Sequence, residues 1–536
     1  MTTFQWNLPD KWVLPIALVI FLFPVISTEY NVLSFTHGVF SYPFDDAFIH
    51  LAIAKNIAVH GVWGISPHEF TSASSSVLYP LLLAGCMKIF GPVTALPLII
   101  NILAGIALVV VVRKWLAGQG LDGLAQLLSL VALILLTPLP AIVVFGMEHT
   151  LQILFDFLFI YSFAAAWGKR RSLPWTVYLY GVLVTGIRYE GMFLIAGACL
   201  LLFFQQRTSI TRRIIPTAKL GLIAFLPILI FGIYAMSKGG LFIPNSVLVK
   251  STTPPLTAEG LSQFFTTDVY NQIYLAHPTI GGIAIHRLLI LLPVSYLLFA
   301  GQLNKVLVGI LILLTFITIT HLIFASTVIL YRYEAYLIAC ALPVLCALTV
   351  NYSSQLVTQP VLLRWAALFI VIILAIPIAL RSKATFVLMD QGAINIYEQQ
   401  YQMGQFVKKY YNNTPIAMGD IGAISFYAQG KSLDLEGLGN LEMAKARKYN
   451  YRTPEFYYDQ CKKNNVRIAI VFDRAYPWQL LQRWYKVAIW QIPNNVACYS
   501  DVVSFYAMDS TGGPELKGNL QAFQPNLPAD VQVRYR

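Results

Sequence analysis

In a chain of 536 residues with only 12% charged side chains, a few short stretches concentrate the groups able to do chemistry. Asp45 and Asp46 sit side by side in "SYPFDDAFIH", Glu148 in "FGMEHT", and Arg188 with Glu190 in "GIRYEG". Asn245 and Lys250 lie in "FIPNSVLVKS", Arg332 in "LYRYEAY", and Asp420 and Asp434 in "GDIGAISFYAQGKSLDL". Guanidinium and ammonium groups hold a phosphate and stabilise it as a leaving group. A carboxylate takes the proton from an attacking hydroxyl. Both together suit glycosyl transfer from a lipid phosphate. Departure of a phosphate from an anomeric carbon needs charge stabilisation more than a covalent intermediate, and no nucleophile pattern such as GxSxG or a Cys/His pairing is evident.

The elements that must position these groups are oily. Hydrophobic residues make up 57% of the chain and mean hydropathy is +0.64, whereas a soluble domain carries about 25% charged residues. The fold class is therefore a polytopic α-helical membrane protein embedded in the lipid bilayer. Ionisable groups at membrane depth are expensive, so those above are functional candidates. The net charge is +12, but many of the Lys and Arg residues sit in short clusters between apolar runs, as in cytoplasmic loops, and no nucleic-acid partner is expected. The first apolar run, Trp12 to Ser27, has no small-residue cleavage site after it and reads as a retained anchor.

Apolar stretches close to the ~20 residues that cross a bilayer recur as far as about residue 385. We place about 11 transmembrane helices at residues 12–28, 93–112, 122–140, 151–167, 174–187, 191–205, 217–236, 287–303, 306–329, 334–350 and 363–380. The basic clusters Arg113/Lys114, Lys169/Arg170/Arg171, Arg207/Arg212/Arg213/Lys219 and Lys305 then share the cytoplasmic side. This holds provided the stretch 76–90 does not cross. The opposite side collects outer loops 29–75 and 237–286, every motif quoted above, and the tail. Residues 1–385 thus form the membrane domain and residues 386–536 a soluble mixed α/β domain, with amphipathic helices at Ile394–Tyr411 and Pro454–Asn464 and strands in "VRIAIVFD", "YKVAIWQI" and "VVSFYAM". Four cysteines fall in apolar runs, leaving Cys461 and Cys498 as the plausible disulfide pair.

Phe44 to Ala58 is amphipathic at helical spacing, with Phe44, Ala47, Phe48, Leu51 and Ala58 on one stripe, as in a helix lying in the interface plane. Asp45 starts this helix, where its charge suits either a base or a cap. Asp46 shares another side with His50, four residues on. Adjacent residues diverge by about 100° on a helix, so the two aspartates have different roles.

"DDAFIHLAIAKNIAVHG" followed by "FTSASSSVLYPLLLAG" resembles the first outer loop of the GT-C superfamily of polyprenyl-phosphate-sugar glycosyltransferases. The branch most resembled contains the mycobacterial terminal arabinofuranosyltransferases and pilin arabinosyltransferases. "GMEHT", "TGIRYEGMFL", "IPNSVLVKS", "YRYEAYLI" and "GDIGAISFYAQGKSLDLEGL" resemble further elements of that branch, in order, over residues 12–440. "GMEHT" departs by carrying His149 before its Thr, and "RYEG" by carrying Tyr189 where Pro is frequent. The resemblance implies a GT-C fold and an inverting transfer of one sugar, arabinofuranose or another pentose or hexose, from a polyprenyl monophosphate. The acceptor would be a hydroxyl of a periplasmic glycan, lipid or pilin-like protein. It implies Asp45 as general base with Asp46 assisting. Arg188, Lys250 and Arg332 would hold the donor phosphate; Glu148, Glu190 and Asn245 would contact sugar hydroxyls or orient the cations, and His50, Asp420 and Asp434 would contact sugar or acceptor. No cofactor besides the lipid-linked donor, and no metal, is expected. The place implied is the bacterial inner membrane, with the site and C-terminal domain on the periplasmic side.

Other readings of the same residues stand beside these. Arg188 and Glu190 also suit a buried ion pair, "LYRYEAY" an aromatic belt with a snorkelling Arg332, and Asp420, Asp434 and Glu436 turn positions. A secondary transporter or a membrane-anchored assembly scaffold are the alternative functions. Against the first stand the lack of an internal repeat and the gathering of polar groups at one surface; against the second stands the number of spans.

Overall fold

The computed structural model describes residues 8–169, 172–205, 209–250, 257–276, 279–299, 301, 303–325, 331–357 and 361–536. Arg170, Arg171 and Arg207 of the basic clusters, with Ser251 and Leu330 at the ends of two motifs, lie outside the described residues. The membrane part opens with α1 (Asp10–Phe35), α2 (Asp45–His60), α3 (Leu78–Phe90), α4 (Leu96–Gly118), α5 (Gly123–Leu136) and α6 (Leu139–Val144). It continues with α7 (His149–Gly168), α8 (Trp175–Ile187), α9 (Gly191–Gln205) and α10 (Ile210–Ser237). Short helices α11 (Asn245–Lys250), α12 (Ala258–Gln263) and α13 (Val269–Ala276) precede α14 (Ile280–Phe299), α15 (Lys305–Phe324), α16 (Ala335–Val357) and α17 (Val361–Val387). Of the described helices, α1, α4, α7, α10, α14 and α15 are each long and apolar enough to span a bilayer. Their outward residues, such as Phe23, Ile230 and Leu222, are exposed apolar groups suited to lipid. Small residues let the helices approach: Gly105 lies under the Phe21 ring and Gly309 under Trp167.

Contacts at the helix ends assign each to a face. Arg113 in α4 donates to the Asp10 carbonyl at the start of α1 (3.0 Å), and Asn351 in α16 donates to the Gln119 carbonyl just past α4 (3.1 Å). The Trp167 indole, near the end of α7, donates to Leu201 near the end of α9 (3.1 Å), and Gly168 packs against Val306 at the start of α15. Arg113, Lys114, Lys169 and Lys305 therefore share one face. Gly146, Met147, Arg188, Phe324 and Arg332 belong to the other ends of these helices. Both ends of α3 sit on that second face: Tyr79 donates to the Gly146 carbonyl (3.0 Å), while Tyr42, packed on Gly146, donates to Thr94 (2.7 Å). So α3 leaves and returns on the same side, which is the condition that the sequence-based topology required.

The C-terminal domain follows α17 directly. It contains α18 (Asp390–Ile396), α19 (Gln402–Tyr410), β1 (Ile416–Met418), α20 (Gly422–Tyr427), β2 (Ser432–Asp434), α21 (Leu441–Lys448), α22 (Pro454–Lys463) and β3 (Ile468–Val471). Then come α23 (Trp478–Leu481), β4 (Tyr485–Gln491), β5 (Val502–Ala507), α24 (Gly513–Phe523) and β6 (Gln532–Tyr535). The strands form one sheet ordered β2-β1-β3-β5-β4-β6, parallel across β2, β1 and β3 and antiparallel beyond. Its two faces bury separate cores, one around Phe406, Trp490 and Phe505, the other around Met443, Tyr457 and Trp484. Cys461 belongs to the second core and Cys498 packs elsewhere, near Gln400; both are free thiols, so the expected disulfide is corrected.

The expectation for α2 is corrected too. Its residues Ala47 to Ala54 are buried without interruption, so no face lies in the interface plane. A one-sided stripe is what sequence alone shows; here the second side is covered by the C-terminal domain. Phe48 meets the rings of Phe426 (6.1 Å) and Tyr427 (6.0 Å), Lys55 donates to the Phe426 carbonyl (2.5 Å), and the Asp45 carboxylate accepts the N–H groups of Gly422 (2.6 Å) and Ala423 (2.7 Å). The backbone of α2 presses so closely on Gly422 that a Cβ there would collide with the Asp45 carbonyl oxygen. Gly422→Ala should therefore destabilise the docked domain by about 1–3 kcal/mol, read as a lower thermal midpoint of the detergent-solubilised chain. Gly518→Ala, where a Cβ meets nothing within 4 Å, should leave the midpoint level or raised; equal behaviour of the two variants would contradict the docking described.

Candidate active site

The start of α2 places Asp45 and Asp46 in the wall of one of two cavities. One, of about 160 Å³, is lined by Ser75, Arg188, Glu190, Ser246, Lys250 and Tyr333 together with apolar residues such as Phe193 and Phe324. The other, of about 250 Å³, lies between α2 and the C-terminal domain and includes Asp45, Asp46, Arg332, Gln400, Asp420 and Tyr499. Asp46 lines the second cavity and reaches a cation of each. Its carboxylate accepts from the Arg332 guanidinium, which lines the second cavity, and lies 3.7 Å from Lys250 Nζ, which lines the first.

The helix rotation expected between the aspartates is realised as two different environments. Burial pushes the Asp45 carboxyl up to about 6, and the Gly422 and Ala423 amides only partly offset it. At Asp46 burial acts in the same direction, but the cations Lys250 and Arg332 outweigh it and hold the group well below the usual carboxylate range. Asp46 is thus a fixed anion, whereas Asp45 exchanges a proton near neutrality. Asp420, beside Asp45, is pushed well above the carboxylate range by burial and by that neighbour; its Oδ2 accepts from Gln400 (2.8 Å).

Arg188 sits in the turn between α8 and α9 with extended backbone. It is buried and bonded to Glu148 (2.7 Å) and to Glu190 (Nε to Oε2 3.1 Å), with its guanidinium 4.8 Å from the Tyr333 ring centre. Glu148 is fully buried and also takes His50 Nε2 (3.0 Å) and the Ser75 hydroxyl (3.0 Å). His50 Nδ1 in turn faces Ser74 (3.2 Å), so both ring nitrogens are occupied. Glu148, expected to contact the sugar or to orient the cations, here braces Arg188, and His50, expected at sugar or acceptor, stands behind Glu148. Glu190 lines the first cavity. Asn245 is buried, its N–H donating to Ser72 (3.3 Å) and its Oδ1 without a partner. Asp434 is turned away from both cavities: its oxygens accept the N–H groups of Glu436 (2.8 Å) and Gly439 (2.6 Å), so it braces a turn. The Tyr189 hydroxyl and Ser246 Oγ, both in the wall of the first cavity, are buried with no partner. No group of three or more His, Cys, Asp and Glu side chains able to hold a metal occurs among the described residues.

The turn that carries Arg332 and Tyr333 is fastened from α17. Arg381 bonds Glu334 (2.8 Å) and the Tyr331 carbonyl, with Arg381 and Glu334 both fully buried and Tyr331 at φ 61°. Sequence reading missed Glu334 and Arg381 because they look like an ordinary motif flank and a charge at the end of a span. It missed Gln400 and Tyr499 because only the fold brings them beside α2. The run "TSASSS" is the signal that could have found Ser74 and Ser75.

Residues 392–506 match a family described as Domain of unknown function (DUF8728). Comparison with curated proteins finds no sequence match. Among solved structures, the crystal structure of ArnT from Cupriavidus metallidurans bound to undecaprenyl phosphate is similar over 94% of this chain and 98% of that one, with TM-score 0.52 and 10% identity. At that identity the likeness shows the fold, which is the expected multi-pass GT-C membrane architecture with a sheet-containing C-terminal domain.

Removing one partner of the Arg381–Glu334 pair leaves a buried charge. Arg381→Met should cost about 3–5 kcal/mol, measured as a lowered thermal midpoint, while the double variant Arg381→Met/Glu334→Leu should recover most of the loss. A single variant as stable as the parent would show that the pair does not hold the turn.

Proposed function

We propose that this chain is a membrane glycosyltransferase that moves a single sugar from a polyprenyl-phosphate carrier to an acceptor hydroxyl. One observation carries the reading: a carboxylate that titrates near neutrality stands beside a fixed Asp46–Lys250–Arg332 cluster whose members line a cation-lined cavity and a carboxylate-lined one. The similarly folded ArnT was crystallised with undecaprenyl phosphate, which supports a polyprenyl-phosphate donor.

In this reading the donor phosphate enters the first cavity, where Lys250 and Arg188 meet it and the unpartnered Tyr189 hydroxyl and Ser246 Oγ supply neutral contacts. The apolar side of the same cavity receives the first part of the prenyl chain. The acceptor hydroxyl approaches from the second cavity, its proton passes to Asp45, and its oxygen bonds to the anomeric carbon. The bond from that carbon to the phosphate oxygen breaks, and the electron pair leaves with the prenyl phosphate. Attack from the face opposite the phosphate inverts the centre. Asp46 is too acidic to serve as the base and instead holds Arg332 and Lys250 in place, while Glu148 and Glu190 fix the plane of the Arg188 guanidinium. The chemistry rests on these cations and involves no metal. The sugar proposed is arabinofuranose or another pentose or hexose, as in the branch most resembled. The motif face is proposed as periplasmic, with the Lys/Arg-bearing helix ends in the cytoplasm of a bacterial inner membrane.

The test is release of prenyl phosphate from a panel of synthetic polyprenyl-phosphate sugars by the purified full chain. Asp45→Asn should lower release roughly 10²–10⁴-fold, the usual worth of a general base. Because Asp45 is protonated and inactive below its pKa, release should rise with pH through about 6 and then level; the residual activity of Asp45→Asn should lack that limb. Lys250→Met should remove a charge-assisted contact of about 1.5–3 kcal/mol, read as a raised donor KM. Absence of release with every donor, or full activity in Asp45→Asn, would contradict the proposal.

A further inference from the structure

The cleft between α2 and the C-terminal domain holds groups to which the transfer step gives no role. Tyr499 is 65% exposed, with its ring 5.6 Å from Phe472, so an aromatic face is presented at the cleft wall. Gln400 donates to Asp420 and accepts from the Cys498 thiol (3.2 Å), which locks its amide in one orientation. Arg332 is 3% exposed, and while one terminal nitrogen bonds Asp46 and the other points to Met147 Sδ (3.0 Å), its Nε–H has no acceptor. A buried donor without a partner in a cleft wall is costly unless a ligand supplies the acceptor.

Resting on the glycosyl-transfer reading, we infer that this cleft is the acceptor subsite and that the acceptor it takes is a saccharide, seated on Tyr499 and hydrogen-bonded by Asp420 and the Arg332 Nε–H. A sugar ring has an apolar face that stacks on an aromatic ring and hydroxyls around its rim that both donate and accept. The cleft offers that set: an aromatic platform, the acceptors Asp45 and Asp46, a free donor in Arg332, and Asp420. Burial and the neighbouring Asp45 raise the proton affinity of Asp420, which favours the form that donates as well as accepts. A lipid hydroxyl would lay its apolar chain against three carboxyl groups, whose remaining lone pairs it would leave without partners. A peptide acceptor would need carbonyl and amide partners in register, and the polar groups named in this cleft are side chains. The C-terminal domain thereby gains a part in the reaction, since Tyr499, Gln400 and Asp420 all belong to it, while the base and the cations belong to the membrane part.

The experiment measures retention of the purified full chain on a panel of immobilised arabinan, mannan, galactan and glucan oligosaccharides, with undecaprenyl phosphate binding followed in parallel by native mass spectrometry. One class of oligosaccharide should retain the protein. Tyr499→Ala should weaken that retention roughly tenfold, in line with loss of one stacking contact of about 1.5 kcal/mol, and Tyr499→Phe should restore it, with undecaprenyl phosphate binding the same in all three. Retention that Tyr499→Ala does not alter would overturn the subsite. Undecaprenyl phosphate binding without retention on any oligosaccharide, or displacement of the oligosaccharide by a long-chain alcohol, would overturn the saccharide and leave the donor reading standing. Loss of both kinds of binding would remove the donor reading as well.

Discussion

Two carboxylates adjacent in sequence cannot share one environment at the start of a helix, and the arrangement of this protein depends on how each is compensated. Asp46 is held by the Arg332 guanidinium and by Lys250, from two separate segments of the membrane part. Asp45 is held by two backbone amides of a domain nearly four hundred residues further along the chain. Together these contacts pin α2 between the two parts. Because amides carry only partial charge and guanidinium and ammonium carry full charge, the compensation is unequal, and the two aspartates end with opposite proton affinities.

The remaining charges at this depth follow the same logic. Glu148 and Glu190 share the Arg188 guanidinium, with His50 and Ser75 also on Glu148 and Ser74 behind His50, and Glu334 pairs with Arg381 beneath the Arg332 turn. In a region of low dielectric an unpaired member of either set would be strongly destabilising. Pairing keeps each cation in place without using all of its donors. What is left over, on Lys250 and at the walls of the two cavities, is what a ligand can meet.

Much of this was readable in the sequence. The apolar runs, the face shared by Arg113, Lys114, Lys169 and Lys305, the strands of the tail and the gathering of the polar groups all rest on local composition and periodicity, which are encoded within short windows. The different surroundings of Asp45 and Asp46 followed from the rotation of a helix. What escaped was every relation set by packing between distant segments. The burial of α2 on all sides depends on the C-terminal domain folding back over it, so a one-sided apolar stripe gave the wrong surroundings for a correctly placed helix. His50 and Glu148 were found as site residues, but the cation they brace was visible only once Arg188 lay between Glu148 and Glu190. Asp434 has the composition of a binding residue and the geometry of a turn. Cys461 and Cys498 are paired by elimination in the sequence, yet the sheet separates them.

The account turns on where the lipid phosphate sits relative to Asp45. A cryo-EM structure of the full chain in lipid nanodiscs with undecaprenyl phosphate should place the phosphate in the cavity bearing Lys250 and Arg188, with the Asp45 carboxylate still on the Gly422 and Ala423 amides and the cleft beside Tyr499 free of lipid. Phosphate density in the cleft between α2 and the C-terminal domain, or at the helix ends carrying Arg113 and Lys305, would contradict it.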